Sequence, residues 1–431
     1  MSVIRPKPPE DPLAYDPAPL FASLGLSAAA LAPLADGLDR ARSASRDVPL
    51  VHLPDRLLAD YNGTRTDGGA AGRTRATSEL YAMLQAARRI RDSVDRVVVL
   101  GDPGCTQGAR AVFACCCHPF HNELARGERG GRPRLAFVGH PFDGDSLQGL
   151  IDLVCPAGAA RTDDLLDQWA IVVSEEGGGG ATAATRLLMR LLLRSLADDR
   201  SRLGERVVPV AARGGSLAAL AKAIGCPATF LLPEGVAGIR SVFTAAGLLP
   251  AAIAGVDVVR LLQGAAAMNR RYREAGPADN PVLQFVGASR LAARRCGVAP
   301  RLVSQQTDRL HDLVQWHDRL VAAAAGPSPA DAGAAPVTRV FAGEPRRDPL
   351  AAVSLAPPAS PPAREPDDVD RLLGAADEVT ADATCAVPRG TTAFAARDGA
   401  TLSLPRIDEH AIGQLVQLLL LAAVVEERLA E

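Results

Sequence analysis

A glycine-rich loop is the part of the chain best suited to bind an anion. The run SEEGGGGAT extends from Ser174 to Thr182 and directly follows the apolar run Ala170 to Val173. Glycines let backbone N–H groups approach a phosphate, and a following helix N-terminus favours negative charge. The loop also carries Glu175 and Glu176, whose carboxylates compete for the same donors. Either the loop binds an anion, or its own acids cap those N–H groups.

A run of cysteines and histidines is the second candidate for chemistry. Cys115, Cys116, Cys117 and His118 are consecutive, and His121 follows three residues later. Thiolates and imidazoles bind transition metals, but neighbouring helical residues point about 100° apart and cannot all face one ion. We therefore expect small core residues here and no metal site.

The composition indicates free thiols and no polyanionic partner. Eight cysteines are scattered through 431 residues without paired spacing, which is typical of reduced, cytosolic proteins. The formal net charge is −2, so no nucleic-acid or membrane-surface partner is expected. The N-terminal residues do not resemble a secretory signal, and the apolar run Leu415 to Val425 is too short to span a bilayer. These features predict a cytoplasmic location.

Short apolar runs alternate with helix-length segments through the middle of the chain. This pattern predicts right-handed crossovers and a parallel sheet. The runs are Arg96–Leu100, Arg134–Val138, Ala170–Val173, Arg206–Val210 and Thr229–Leu232. Ligands of such folds bind beyond the carboxyl ends of the strands. The loops after Leu100, Val173 and Leu232 are therefore expected to surround one site.

Further apolar runs predict a second, smaller sheet. The first begins at Pro281 and continues as VLQFVGAS. The others begin at Arg301, Val337 and Thr401. The chain is 48% hydrophobic and long enough for two domains. We predict a helical segment at 1–80, a first α/β domain at 81–275 and a second at 276–431. The second contains a Pro- and Ala-rich loop at 326–367 and a closing apolar helix from Glu409 to Leu429.

Long strings of the sequence resemble the phosphoglucose isomerase family. They are RVVVLGDPGCTQGARAVFACCCHPFHNELARGERGGRPR from Arg96, FLLPEGVAGIRSVFTAAGLLPAAIAGVDVVRLLQGAAAMNRR from Phe230, NPVLQFVGASRLAARRCGV from Asn280 and LPRIDEHAIGQLVQLLLLAAVVEERL from Leu404. The resemblance implies two doubly wound parallel sheets of the sugar-isomerase (SIS) type and a dimer. It also implies interconversion of glucose 6-phosphate and fructose 6-phosphate, without a metal or an organic cofactor.

The phosphate loop of that family reads approximately Ser-Lys-Ser-Gly-(Gly/Thr)-Thr. The matching positions here, which the resemblance makes phosphate-binding, are Ser174, Gly177, Gly178 and Thr182. The Lys and second Ser positions are Glu175 and Glu176, so a cation and a donor have become two anions. Two like charges about 4 Å apart repel by about 4 kcal/mol at an effective dielectric near 20, roughly a thousandfold in affinity. Weak phosphate binding and self-capping by the acids are both open.

The family's sugar-binding loop, approximately GIGGS, is altered as well. Here it reads Gly101-Asp102-Pro103-Gly104-Cys105. Pro103 removes a backbone N–H group, and Asp102 and Cys105 replace an apolar residue and a hydroxyl. Gly101, Gly104 and Cys105 are the remaining substrate-binding candidates of this loop.

The groups that would catalyse the family reaction are largely replaced. Proton transfer through an enediolate needs a carboxylate base, a cation, and acid–base groups for ring opening. The base, in a segment resembling DQLLAESLGK, falls on Ala323, and the cation of the GGRFS motif falls on Ile239. Arg240, one residue later, is the remaining catalytic candidate. The DLHS-type His motif and the C-terminal Lys segment are not found up to Glu431.

Other histidines do not replace that missing motif. His311 and His317 fall on a helical pattern and are expected to be ordinary helix residues. His410, at the start of the last helix, is expected to cap or pack.

Three functional hypotheses follow from this pattern. The first is a glucose-6-phosphate isomerase-like protein with a degraded site and little or no isomerase activity. The second is an active aldose–ketose isomerase that uses Glu175 or Glu176 as base and Arg240 as electrostatic stabiliser. The third is a non-catalytic sugar-phosphate sensor or partner subunit. The expected partners are a sugar phosphate and either a second copy of the chain or an intact paralogue.

Overall fold

The chain folds around two β-sheets in a computed structural model. The structure describes residues 12–63, 75–139, 144–155, 164–176, 183–196, 199–236, 238–297, 301–304, 307–325, 337–342 and 399–430. The strands are β1 (Ala14–Asp16), β2 (Arg96–Gly101), β3 (Arg134–Gly139), β4 (Trp169–Glu175), β5 (Val207–Ala211), β6 (Phe230–Leu231), β7 (Arg301–Ser304), β8 (Val337–Ala342) and β9 (Thr401–Leu404).

Helices cover the sheets and form most of the remaining structure. In chain order they are α1 (Ala18–Ser23), α2 (Ala35–Ala44), α3 (Pro49–Asn62), α4 (Glu79–Ser93), α5 (Pro103–Cys116), α6 (Gly144–Val154), α7 (Ala183–Ser195), α8 (Arg200–Arg206), α9 (Ser216–Ala223), α10 (Ala245–Ala254), α11 (Val258–Glu274), α12 (Pro281–Cys296), α13 (His311–Ala325) and α14 (Glu409–Ala430). A 3₁₀ turn, Gly238–Phe243, precedes α10. Within the described ranges, no helix has both the length and the apolar character that crossing a membrane requires.

The first sheet is the one that the five apolar runs predict. Its strands are all parallel, in the order β3-β2-β4-β5-β6. Val97 and Val99 belong to one hydrophobic core cluster, and Val98 and Leu100 belong to another. Because alternate residues of a strand point to opposite faces, both faces of β2 are covered. Such coverage explains why these strands are nearly continuous apolar runs. The parallel α/β fold predicted from the sequence is confirmed.

The second sheet has four strands, in the order β1-β9-β8-β7. The runs at Arg301, Val337 and Thr401 form its parallel strands, as predicted. The short strand β1 pairs antiparallel with β9, so this sheet is mixed rather than wholly parallel. The predicted division at residues 80 and 275 stays a prediction. Of the predicted loop at 326–367, residues 337–342 form strand β8, and the rest lies outside the described residues.

The strand predicted at Pro281 is wrong, because this segment is the start of helix α12. The Asn280 side chain accepts hydrogen bonds from the backbone N–H groups of Val282 and Leu283, at 3.2 and 3.3 Å. A proline at the first helical position needs no N–H partner. The apolar run is therefore a capped, buried helix, which periodicity alone does not separate from a buried strand.

Helix α14 occupies the centre of the molecule, and residues 409–425 of this helix are buried. It packs very closely on α11, because Gly264 and Gly413 stand at the crossing. A methyl group on Gly264 would overlap the carbonyl oxygen of His410, and one on Gly413 would overlap that of Leu261. The predicted closing helix is confirmed, and the two glycines set how near it lies to α11.

Gly413→Ala should lower the free energy of unfolding, since the added methyl forces α14 away from α11. Overpacking of this kind costs about 1–3 kcal/mol, measurable by urea denaturation. Gly37→Ala is the matched control, because its methyl would have only Leu429 Cδ2 nearby, at 3.9 Å. In a helix, alanine is favoured over glycine by roughly 0.5–1 kcal/mol, so the control should be neutral or slightly stabilised. Equal midpoints for both variants would contradict this packing.

Candidate functional site

Three segments meet at the carboxyl edge of the first sheet. Gly101, the last residue of β2, pairs with Ser174 of β4, and a methyl group on Gly101 would overlap the Ser174 side chain. A methyl group on Gly104 would lie 2.7 Å from the backbone nitrogen of Ile239 in the 3₁₀ turn. Glycine is required at both positions by this close approach. The described parts of these loops meet as predicted, and their role as a binding site stays a prediction.

The carboxylate of Glu176 lies at the meeting point of the three segments. The Cys105 thiol donates a hydrogen bond to Glu176 Oε1 at 2.6 Å. The backbone N–H of Gly238 donates to the same oxygen. Gly238 has a φ of +60°, and a methyl group there would lie 3.4 Å from Glu176 Oε2. The space between the loops is thus occupied by a side chain of the protein itself.

The second acidic residue, Glu175, is bonded to a different helix from the one expected. A backbone N–H of Leu217, in the first turn of α9, donates to its carboxylate. Glu175 Oε2 is buried without a hydrogen-bond partner. Burial, followed by the neighbouring Asp102 carboxylate, raises the pKa of Glu175. Glu175 therefore accepts a hydrogen bond from the N-terminal turn of α9, and not from the helix that directly follows its own loop.

The Cys105 thiol is a neutral donor in this arrangement. The side chain is buried, at 1% exposure. Burial, and next the Glu176 carboxylate, raise the pKa of Cys105 above its ordinary value. A reactive cysteine needs a lowered pKa, so the geometry favours a structural or binding role over nucleophilic attack.

Arg240 lies in the 3₁₀ turn next to these groups, but its guanidinium bonds to Glu427 of α14. Burial lowers the pKa of Arg240. Ala323, at the position of the family base, is exposed near the end of α13. Gly177, Gly178 and Thr182 lie outside the described residues, so their phosphate-binding role stays a prediction.

The three cysteines of the cysteine and histidine run lie in the core, as expected, but His118 does not. Cys115, Cys116 and Cys117 are buried, whereas His118 is exposed. The Cys115 thiol donates to the carbonyl oxygen of Arg309 at 3.3 Å. His121 is buried, with Nε2 3.0 Å from the carbonyl oxygen of Pro133. In the part of the chain that the structure describes, no group of three or more His, Cys, Asp or Glu could hold a metal ion.

The remaining histidines differ in their surroundings. His410 is buried, and its Nδ1 lies 3.2 Å from Gln414 Nε2, which fits the expected packing role. His311 is exposed and contacts Gln315. His317 is buried, and its Nδ1 has no hydrogen-bond partner. The helical pattern of the sequence did not predict that this ring nitrogen would be buried without a hydrogen-bond partner.

By its fold the chain is a mixed α/β protein with a parallel five-stranded sheet, at whose carboxyl edge the three segments meet. Among solved structures, a hypothetical protein from Thermus thermophilus has a TM-score of 0.65 at 18% identity, covering 97% of this chain and 94% of that chain. A glucose-6-phosphate isomerase from Chlamydia trachomatis has a TM-score of 0.55 at 14% identity, covering 91% and 81%. These likenesses show a shared fold.

Curated proteins add the sequence relationship. Glucose-6-phosphate isomerase of Symbiobacterium thermophilum is 33% identical over 242 residues, 56% of this chain and 51% of that protein. The enzyme of Heliobacterium modesticaldum is 32% identical over 276 residues, 62% and 59%. No family model matches the sequence. The chain is thus similar in part of its sequence to glucose-6-phosphate isomerases, and it spans about half the length of the curated relatives it matches.

Cys105 should resist alkylation in the folded protein until the pH is well above about 8.5, the usual pKa of a free thiol. Glu176→Gln should lower the pH at which Cys105 begins to react, because it removes a negative charge next to the thiol. Peptide mass spectrometry after timed iodoacetamide exposure measures both effects. Exposed Cys296 serves as the internal reference, and Glu123→Gln, a surface change, as the matched variant. An unchanged onset in Glu176→Gln would contradict the Cys105–Glu176 contact.

Proposed function

We propose that this chain is a glucose-6-phosphate isomerase-like protein that turns over sugar phosphates slowly or not at all. The observation that carries the proposal is the Glu176 carboxylate, which accepts hydrogen bonds from Cys105 and Gly238 between the three loops. The resemblance to the phosphoglucose isomerase family places a phosphate-loop serine at this position. A carboxylate held by these donors takes the bonds that an incoming phosphate would need, and it repels that phosphate.

The surroundings of the other substituted positions support slow turnover. Ala323 has a methyl group where the relatives' base is expected, and a methyl group accepts no proton. Arg240 is paired with Glu427, so its charge is already compensated. An enediolate would therefore form without the base and the uncompensated cation that stabilise it.

A second candidate function is isomerase activity through a rearranged site. The observation in its favour is Glu175, whose pKa is raised by burial and whose Oε2 has no hydrogen-bond partner, as suits a general base. It adjoins Ser174 at the end of β4. In this alternative Glu175 transfers the proton. Arg240 leaves its ion pair with Glu427 and stabilises the negative charge of the enediolate.

Turnover separates the two candidates. We expect the purified full chain to convert fructose 6-phosphate with a kcat below about 1 s⁻¹, under the ordinary range for enzymes. The measurement is a coupled assay that detects glucose 6-phosphate. A higher kcat that falls at least tenfold in Glu175→Gln, but not in the surface variant Glu123→Gln, would overturn the first proposal and favour the second.

Glu176→Ser should open the site to phosphate, because it replaces an anion by a hydroxyl donor. We expect affinity for glucose 6-phosphate to rise at least about tenfold, equivalent to about 1.4 kcal/mol. Isothermal titration calorimetry measures the affinity, and ligand-dependent melting checks it through linkage. Glu123→Ser is the matched control. Equal affinity in wild type and Glu176→Ser would show that Glu176 does not occupy the anion position.

The expected partners follow from the same proposal and are open to direct test. A second copy of the chain, or an intact paralogue, would co-purify with it. The cytoplasmic location likewise remains a prediction.

A further inference from the structure

A cluster of arginines lies at the amino edge of the first sheet, opposite the edge where the three loops meet. Arg96 is the first residue of β2, and its register partner is Arg134, the first residue of β3. Register partners on neighbouring parallel strands point to the same face of the sheet, and the strands lie about 4.8 Å apart. Two positive side chains therefore begin next to each other.

The one carboxylate inside this cluster is fully used by other arginines. The Asp95 side chain is 1% exposed, and its oxygens accept hydrogen bonds from Arg126 at 2.9 Å, from Arg129 at 2.5 Å and from Arg134. Arg96 is not among these partners. Three guanidinium groups thus share a single carboxylate, and the cluster has an excess of positive charge even before Arg96 is added.

Arg96 is the unpaired member of the cluster. Among the residues that the structure describes, its guanidinium has no hydrogen-bond or ion-pair partner, and it is half-buried with its nitrogens still accessible to solvent. Burial, followed by the positive charge of Arg134, lowers the pKa of Arg96, and the Asp95 carboxylate offsets this only in part. Arginine nevertheless stays protonated in proteins. With Arg96, four positive charges face one carboxylate, an excess of three.

The carbonyl groups at the C-terminus of α4, which would repel an anion, are already bonded. Arg126 donates to the carbonyl oxygens of Arg91 and Val94, at 2.7 and 2.8 Å, and Arg206 donates to that of Ser93. These cationic donors offset the negative end of the helix dipole. The surroundings of Arg96 therefore favour a negatively charged ligand.

The apolar cavity elsewhere in the molecule lacks such a group. It has a volume of about 330 Å³ and opens between α12, α13 and α14, with walls that include Phe285 and His317. Arg290 in its lining is paired with Glu426, at 2.8 Å between Nε and Oε2. An anion in this cavity would have to break an existing ion pair, whereas at Arg96 it would break none.

We propose that the amino edge of the first sheet binds a multivalent anion of the phosphate class, with the Arg96 guanidinium donating directly to its oxygens. A guanidinium presents parallel N–H donors that match two phosphate oxygens. Arg126 and Arg134, whose side chains are 19% and 28% exposed, add positive charge around the ligand. An excess of three positive charges suits a diphosphate group better than a monovalent anion. The proposal is independent of isomerase activity, because the loops that hold Glu176 lie at the opposite edge.

Isothermal titration calorimetry of the full chain, at constant ionic strength, tests the proposal. Inorganic pyrophosphate should bind saturably, and at least about tenfold more tightly than nitrate, a planar oxyanion with a single charge. ADP, which presents the same diphosphate group on a nucleoside, is the second probe, and the tighter of the two identifies the source of the group. The absence of saturable binding of both phosphate probes, or equal affinity for nitrate, would overturn the proposal.

A pair of matched variants locates the binding site. Arg96→Gln should weaken pyrophosphate binding at least about tenfold, because it removes a charged donor. Arg270→Gln, at an exposed position of α11, makes the same change of net charge and should keep the affinity of the wild type. Circular dichroism establishes that both variants are folded. Equal affinity in wild type and folded Arg96→Gln would overturn the proposal, since pyrophosphate would then bind elsewhere, for example at the carboxyl edge.

A second variant decides the question if Arg96→Gln does not fold. Arg96→Lys keeps the positive charge but loses the parallel donors, so pyrophosphate binding should weaken at least about threefold. Unchanged affinity in Arg96→Lys would contradict direct donation by the guanidinium and overturn the proposal.

Discussion

The close contact between α11 and α14 limits where the neighbouring elements can lie. Glycines at the crossing bring the two backbones so near that a side chain on either would overlap the other helix. Buried amides add a directional restraint, since Gln417 Nε2 donates to Asn269 Oδ1 at 2.7 Å. Close packing has few alternatives of similar energy, so this contact fixes the position of α14.

Several other contacts follow from that position. Gln414 accepts a hydrogen bond from the backbone N–H of Leu13 at 3.1 Å, next to strand β1. Glu427 meets Arg240 in the 3₁₀ turn, and Glu426 meets Arg290 in α12. One helix therefore holds the N-terminal strand, one wall of the cavity and the side chain that compensates the candidate cation. A small shift of α14 would therefore change the contacts of strand β1, the cavity wall and the Arg240–Glu427 pair together.

The sheet-edge site is closed by the protein's own groups. Close approach requires glycine at 101 and 104, so the three loops converge. The groups between them are a carboxylate, a thiol and a backbone N–H, and the thiol and the N–H both donate to the carboxylate. Glu175 similarly binds the first turn of α9. Backbone N–H donors at such an edge attract anions. In this chain the anions are the carboxylates of Glu175 and Glu176, which belong to the loop itself.

The parallel first sheet could be predicted from the sequence, because strands covered on both faces are continuous apolar runs. The closing helix and the meeting of the loops could be predicted as well. The strand predicted at Pro281 was wrong, because a short apolar run looks the same in a buried helix and a buried strand. Strand β1 was not predicted, because its three residues are too few to form a recognisable pattern. No sequence pattern predicted that Glu176 contacts Cys105, that Arg240 pairs with Glu427 or that His317 lines a cavity. Those partners are far apart in sequence, and their contacts depend on helix packing that no local pattern encodes.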